Sequence, residues 1–221
     1  MADAEKNIVA SVVVVDNGEA TLEECLKSLR NQSVQDIEII VAPTENTNLE
    51  VARKYADIVL EPMRGIGRQR VAAILKASSN YIISCDSDSI YDVNYVKYAL
   101  EDLRFWNVVK AASIYPLKPS YQGYFESLFN PFIPYEHALA FRKDVFLRHG
   151  LDKLEYRDIR SDIGPELAKR EFIFQDPRMK VWTRLPTRDG GLIINNYLLS
   201  MVLAAIPGSI VGGSIILNEL G

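Results

Sequence analysis

Residues 8–30 read IVASVVVVDNGEATLEECLKSLR, and the change of period within this stretch decides the fold class. Ile8 to Val15 is a nearly continuous β-branched run, the pattern of a strand covered on both faces, as in a parallel sheet between helical layers. Asp16-Asn17-Gly18-Glu19 breaks it with turn-forming residues. From Thr21 onward Leu22, Cys25, Leu26 and Leu29 recur at helical spacing, with Glu23, Glu24 and Lys27 facing outward. Thr21 followed three residues later by Glu24 predicts a capping box at the helix start.

The same alternation continues along the chain. Ile37 to Val41 (IEIIV) reads as a second strand, followed by a polar loop, APTENTN. Leu49 to Tyr55 reads as a helix, Ile58 to Leu60 as a short third strand, and Gln69 to Ala77 as a helix after the Gly65/Gly67 loop. The fourth strand is YIISC, residues 81–85. This β-α-β-α-β-α-β order predicts an α/β fold with a doubly wound, mostly parallel sheet. Ligands of such sheets bind beyond the carboxyl ends of the strands. Asp16, Glu45 and the Asp86/Asp88 pair all fall there and are expected to converge on one edge. Further on, a helix is expected from Tyr91 through Phe105, and a loop-rich aromatic wall from Ile114 to Tyr135. A strand over Ala138–Phe141, a short helix over Lys143–Leu147 and a helix over Arg160–Arg170, starting firmly near Pro165, complete the reading.

Bulk properties narrow the function. A net charge of −4 over 221 residues, with no Lys/Arg tract, argues against a nucleic-acid partner. Two cysteines, Cys25 and Cys85, give neither a disulfide framework nor metal-ligand spacing, and read as buried thiols. The polar start, MADAEKN, has no secretory pattern, which suggests a reducing, cytoplasmic setting for the active part. The end of the sequence differs in kind. Gly190 to Asn218 carries no charge, and Leu192–Leu217 exceeds the roughly 20 residues that cross a bilayer. Arg178, Lys180, Arg184 and Arg188 precede it, a bias that keeps the preceding part cytoplasmic. Residues 190–221 are therefore expected to be a membrane-associated hydrophobic helical tail, a span or an interfacial or re-entrant segment, against the alternative of a buried hairpin hinged at Pro207-Gly208.

Asp86-Ser87-Asp88 carries the chemistry. In an extended segment the two carboxylates alternate about Ser87 and point the same way. Two carboxylates on one face make a hard-oxygen site suited to Mg²⁺ or Mn²⁺, which share their remaining positions with waters and phosphates. The competing reading is local, since strand-to-turn junctions favour Asp and Ser for their own hydrogen bonds.

Several of these segments together resemble a known family. Ser11-Val-Val-Val, Leu26, Ser28, Leu29 and Gln32 in an L-x-S-L-x-x-Q helix, Ile37–Val41, the Gly65-Ile-Gly-Arg-Gln-Arg70 helix and the DxD at Asp86–Asp88 resemble family 2 glycosyltransferases of the GT-A (Rossmann-like) fold. The resemblance implies that residues 1–189 form a GT-A domain that moves a sugar from a nucleoside-diphosphate sugar, with inversion, using Mn²⁺ or Mg²⁺. It implies Asp86 and Asp88 as metal residues, with Asp16, Glu45, Arg70, Asp86 and Ser87 at the nucleotide sugar. Asp16 could equally be a strand-end turn residue, and Arg70 a solvated helix arginine. The family's base precedes a late helix, which maps to Asp162, with Asp158 in reserve; Asp162 as a helix N-cap is the alternative. The resemblance and the tail together suggest a lipid-linked or glycan acceptor, with Tyr121, Tyr124, Phe125, Trp182 and His137 near it. Two departures stand out. Ala42-Pro43-Thr44 replaces the usual acidic residue after the second strand, and Val181-Trp182-Thr183 lacks the late histidine. A sugar-nucleotide nucleotidyltransferase, or a non-catalytic membrane-bound binding protein of the same fold, are the rival readings.

Overall fold

The computed structural model describes residues 7–117, 138–153 and 163–183. Within them the β-branched runs form β1 (Ala10–Val15), β2 (Ile37–Ala42), β3 (Ile58–Val59) and β4 (Tyr81–Asp86), separated by α1 (Leu22–Arg30), α2 (Leu49–Tyr55) and α3 (Ile66–Lys76). After β4 come β5 (Ser89–Tyr91), α4 (Tyr95–Asp102), β6 (Val108–Pro116), β7 (Leu139–Arg142), α5 (Lys143–Arg148), a 3₁₀ turn at Leu151–Lys153, α6 (Ile163–Ala168) and β8 (Ile173–Thr183). The described strands join in one sheet of order β3-β2-β1-β4-β7-β6-β8-β5.

The parallel half is as expected: β1 pairs in parallel with both β2 and β4, and β2 with β3. Beyond β4 the sheet is mixed, so the parallel expectation holds for this half only. β7 runs antiparallel to both β4 and β6, while β6 and β8 pair in parallel and β5 closes the sheet antiparallel to β8. The second half is thus a mixed sheet grafted onto a parallel one.

Strand alternation sorts the core into two layers. Val12, Val14, Ile39, Val41, Ile83 and Cys85 pack with α1 and α4 on one face. Val13, Val15, Ile40, Ala42 and Ile82 pack with α3, α5 and α6 on the other. Cys25 and Cys85 are both free and fully buried, and burial pushes each thiol well up, so neither is poised to react.

The α1 motif acquires a physical meaning. Leu26 and Leu29 are fully buried, while Ser28 Oγ accepts from the Tyr91 N–H (3.1 Å). Gln32, also buried, donates to Asp92 O (2.8 Å) and accepts the Val96 N–H (2.9 Å). That last bond satisfies one of the orphan donors at the start of α4. The α1 pattern therefore holds the segment that follows the DxD turn. The expected capping box does not form: Thr21 precedes α1 without a side-chain cap, and its hydroxyl donates instead to Ser87 O (3.0 Å).

Away from the carboxyl ends, Arg178 donates through Nε to Asp176 Oδ2 (2.9 Å) and through Nη2 to Asp102 Oδ1 (3.0 Å). Burial, then the neighbouring Asp176 carboxyl, pushes the Asp102 carboxyl up to about 7. Burial also raises Asp176, but hydrogen bonds from Arg178 and Asp102 outweigh it and hold that carboxyl below its ordinary range. The pair therefore keeps one proton near neutrality. Between about pH 4 and pH 7 the unfolded chain releases a proton that folded Asp102 retains, so this residue's contribution to stability falls as pH rises through that window. Asp102→Asn keeps an acceptor for Arg178 and removes the titration. Its urea midpoint is expected to drop less between pH 5 and pH 8 than that of the unmodified protein.

The helix over Arg160–Arg170 is observed as Ile163–Ala168, and the Tyr91–Phe105 helix as Tyr95–Asp102. Ile114 to Pro116 belong to β6 rather than to a loop. The rest of the aromatic wall, with Tyr121, Tyr124, Phe125 and His137, lies outside the described residues, as do Asp158, Asp162, the division near 189 and the C-terminal tail. Among the described residues no helix is long and apolar enough to cross a membrane.

Candidate active site

Because β1, β2 and β4 are parallel, their carboxyl ends share one edge, and the loops after them meet there. Asp16 ends β1 and is almost fully buried. Its carboxylate accepts the Gly18 N–H at Oδ2 (2.9 Å) and the Glu19 N–H at Oδ1 (3.1 Å), the local turn geometry typical of Asp. Gly18 itself sits at φ +86°, and a Cβ there would come 2.8 Å from both the Cβ and the carbonyl oxygen of Asn46. The β1 and β2 loops thus touch at a point that admits no side chain. Gly18→Ala is expected to cost about 1–3 kcal/mol, read as a lower denaturant midpoint.

Two consecutive residues of α3 organise the strand ends. Gln69 is fully buried, and its amide donates to Asp16 O (3.1 Å) and Ala42 O (2.8 Å), clamping the tips of β1 and β2. Nothing in the sequence distinguished it, because a glutamine in a polar-looking helix start reads as surface. Gln69→Leu leaves both carbonyls without this donor, and an expected loss of about 2 kcal/mol would show in urea unfolding. Arg70 is also buried. Its guanidinium donates to Ser84 Oγ and Asp86 Oδ1, both at 2.5 Å, and to Cys85 O at 3.4 Å. The solvated-arginine reading is therefore wrong, for the charge lies beneath β4 and is spent on Asp86.

The DxD segment departs from the extended picture. β4 ends at Asp86, Ser87 and Asp88 form a turn, and β5 begins at Ser89, so simple strand alternation does not orient the second carboxylate. Different partners hold each one. Asp86 is paired with Arg70, and its N–H donates to Tyr91 Oη (3.1 Å). Asp88 Oδ1 accepts from Ser89 Oγ (3.0 Å) and lies 3.4 Å from Thr183 Oγ1. Ser87 is buried, with its N–H on Val15 O (3.1 Å). Glu45, three residues beyond β2, is exposed and pairs with Arg64 at 3.5 Å. Trp182, in β8, stacks on Tyr115 with centroids 5.6 Å apart.

Among the described residues no three His, Cys, Asp or Glu side chains cluster as a metal shell. Two carboxylates at one strand end nevertheless fit a hydrated Mg²⁺ or Mn²⁺, which takes one or two protein carboxylates and completes its shell with water and phosphate oxygens.

The family model for glycosyl transferase family 2 matches residues 11–150, more than half of the chain, with the ends of β1, β2 and β4 inside the match and Thr183 outside it. The chain belongs to glycosyl transferase family 2. A Bacillus subtilis (strain 168) protein, EpsH, whose name describes it as a glycosyltransferase, is 30% identical over 104 residues, covering 43% of this chain and 30% of EpsH. The family 2 fold is shared with crystallised S. aureus TarS at 15% identity and a TM-score of 0.61, covering 96% of this chain and 42% of that one. It is also shared with the mannosyltransferase PcManGT of Pyrobaculum calidifontis, solved with GDP-Man and Mn²⁺, at 15% identity and a TM-score of 0.63, covering 88% of this chain and 61% of PcManGT. The chain thus spans less than two thirds of the length of each of these three proteins.

Proposed function

We propose that this protein is an inverting, divalent-metal-dependent glycosyltransferase that takes its sugar from a nucleoside diphosphate donor. The observation that carries the reading is the Asp86/Asp88 pair at the carboxyl end of β4, each carboxylate held by its own partner, beside the Asp16 loop. Structural neighbours lend support through their ligands: TarS 1–349 was crystallised with UDP-GlcNAc and PcManGT with GDP-Man and Mn²⁺. When bound, the ion supplies positive charge for the departing diphosphate.

The protein's own residues do the rest. Asp86 and Asp88 would hold the ion, and Arg70 fixes Asp86 from below. The Asp16 loop and the Thr44–Glu45 loop after β2 bound the nucleoside end, where exposed Glu45 offers an acceptor to base or ribose while the buried Asp16 carboxylate holds its own loop in shape. Ser87 contributes its position in the turn beside the phosphates. Asp162, immediately before α6, is the base that takes the acceptor hydroxyl proton as that oxygen attacks the anomeric carbon. One direct displacement inverts that carbon. The uncharged stretch 190–218 supports a membrane-associated, cytoplasm-facing enzyme with a lipid-linked or glycan acceptor.

A thermal-shift panel of UDP, GDP, CDP and TDP, each with and without Mn²⁺, tests the donor reading. Stabilisation by at least one nucleotide only with Mn²⁺ is expected; no metal-dependent shift with any of them would overturn it. Vesicle flotation of the full chain beside a version ending at Arg188 tests the tail. Flotation of both, or of neither, would remove its membrane role.

A further inference from the structure

β8 reaches the carboxyl edge only at its last described residues. There Ser89 pairs with Thr183 across the antiparallel β5–β8 ladder, and both side chains are buried. Ser89 Oγ lies 2.7 Å from Thr183 Oγ1 and 3.0 Å from Asp88 Oδ1, and Thr183 Oγ1 lies 3.4 Å from the same carboxylate oxygen. Three oxygens thus form a triangle that holds only two hydroxyl protons. The two shortest edges accommodate both: Thr183 donates to Ser89, and Ser89 donates to Asp88. The arrangement is a directed relay that ends on one oxygen of the carboxylate.

We propose that the buried Thr183–Ser89 hydroxyl pair is a positioning device that aims the Asp88 carboxylate, making β8 part of the metal–diphosphate site. Fixing Oδ1 fixes the side-chain rotamer and hence the direction of the other oxygen. Neither residue touches the donor. Thr183 acts through Ser89, and Ser89 through Asp88. The geometry gives a reason for hydroxyl side chains at two facing positions of an otherwise apolar ladder, where Val181 and Tyr91 pair two residues away. This inference rests on the reading of Asp88 as a metal residue.

The test is a Mn²⁺ titration by calorimetry of the full chain in saturating UDP and, separately, GDP, on the unmodified protein and on Thr183→Val, Thr183→Ser and Ser89→Ala. Thr183→Val keeps the shape and removes the proton. It is expected to raise the Mn²⁺ dissociation constant about tenfold, the scale typical of partners that orient a ligand. Ser89→Ala should do at least as much, and Thr183→Ser should restore the unmodified value within about twofold. A purely structural role would lower melting temperatures but leave the Mn²⁺ constant of the folded protein unchanged. Equal constants in the unmodified protein, Thr183→Val and Ser89→Ala overturn the positioning role. If Thr183→Val does not fold, a Ser89→Ala constant equal to the unmodified one overturns it alone. Absence of Mn²⁺ binding by the unmodified protein with UDP, GDP and, titrated likewise, CDP and TDP is a separate result: it removes the metal reading of Asp88, and this inference falls with it.

Discussion

Asp88→Asn is expected to lower turnover by roughly 10³-fold while leaving the melting temperature nearly unchanged. Asparagine is close to isosteric and retains an oxygen that can accept from Ser89, so the turn between β4 and β5 has no reason to rearrange. On the proposed reading, what disappears is one negative charge where the ion and the diphosphate would meet. Little of that charge is replaceable nearby, because Asp86 is already engaged by Arg70. Nucleotide binding without Mn²⁺ should change little, whereas the Mn²⁺-dependent increment should vanish. A variant that kept this increment would show that the second carboxylate does not hold the metal. A variant that lost it together with its cooperative unfolding would instead make Asp88 a structural turn residue.

Arg70→Met is expected to be the most destabilising single change at the edge, at about 3 kcal/mol in urea unfolding. The guanidinium is 1% exposed, and its removal strands the Ser84 hydroxyl and the Asp86 carboxylate. Breaking a buried pair by deleting one partner commonly costs 3–5 kcal/mol. Asp86 is 30% exposed, so water reclaims part of its charge and the lower end applies. Lysine would reach one of the two acceptors but cannot span both as the planar fork does, so Arg70→Lys should recover only part of the loss. Combining Arg70→Met with Asp86→Asn should cost less than the sum of the two single changes. Strict additivity would show that the pair is not coupled.

The parallel half of the sheet was legible because continuous β-branched runs alternated with amphipathic helices, a pattern that admits few other folds. β5 and β8 were not. Ser89–Tyr91 is too short to show a period, and β8 (IFQDPRMKVWT) is broken by Pro177 and by Asp176 and Arg178, which pair with each other. Their strand identity comes from partners far away in sequence. The edge itself was placed correctly, for Asp16, Asp86 and Asp88 do end adjacent strands or begin the turn beyond them. The roles of polar side chains were harder to read. Arg70, expected at the nucleotide sugar with a solvated helix arginine as the alternative, is buried against Asp86; Thr21 looked like a cap and instead ties α1 to Ser87. The deciding partners lie at the end of β4 or in the turn just beyond it, 16 and 66 residues away, which local pattern cannot reveal. In the sequence Thr183 stands out only as part of Val181-Trp182-Thr183, the stretch without a late histidine.

Gln69 and Arg70 are neighbours on one helix, yet between them they grip the tips of β1, β2 and β4. Three strand ends are therefore indexed by a single backbone step and cannot drift independently. Such a plate should be stiff before any ligand arrives, with amide protons at Val15, Ala42 and Asp86 among the slowest to exchange. Little ordering entropy is then left to lose when the donor docks. Any give at this edge has to be sought elsewhere, along the β5–β8 side, which is fastened to the plate through hydroxyls rather than through a buried ion pair.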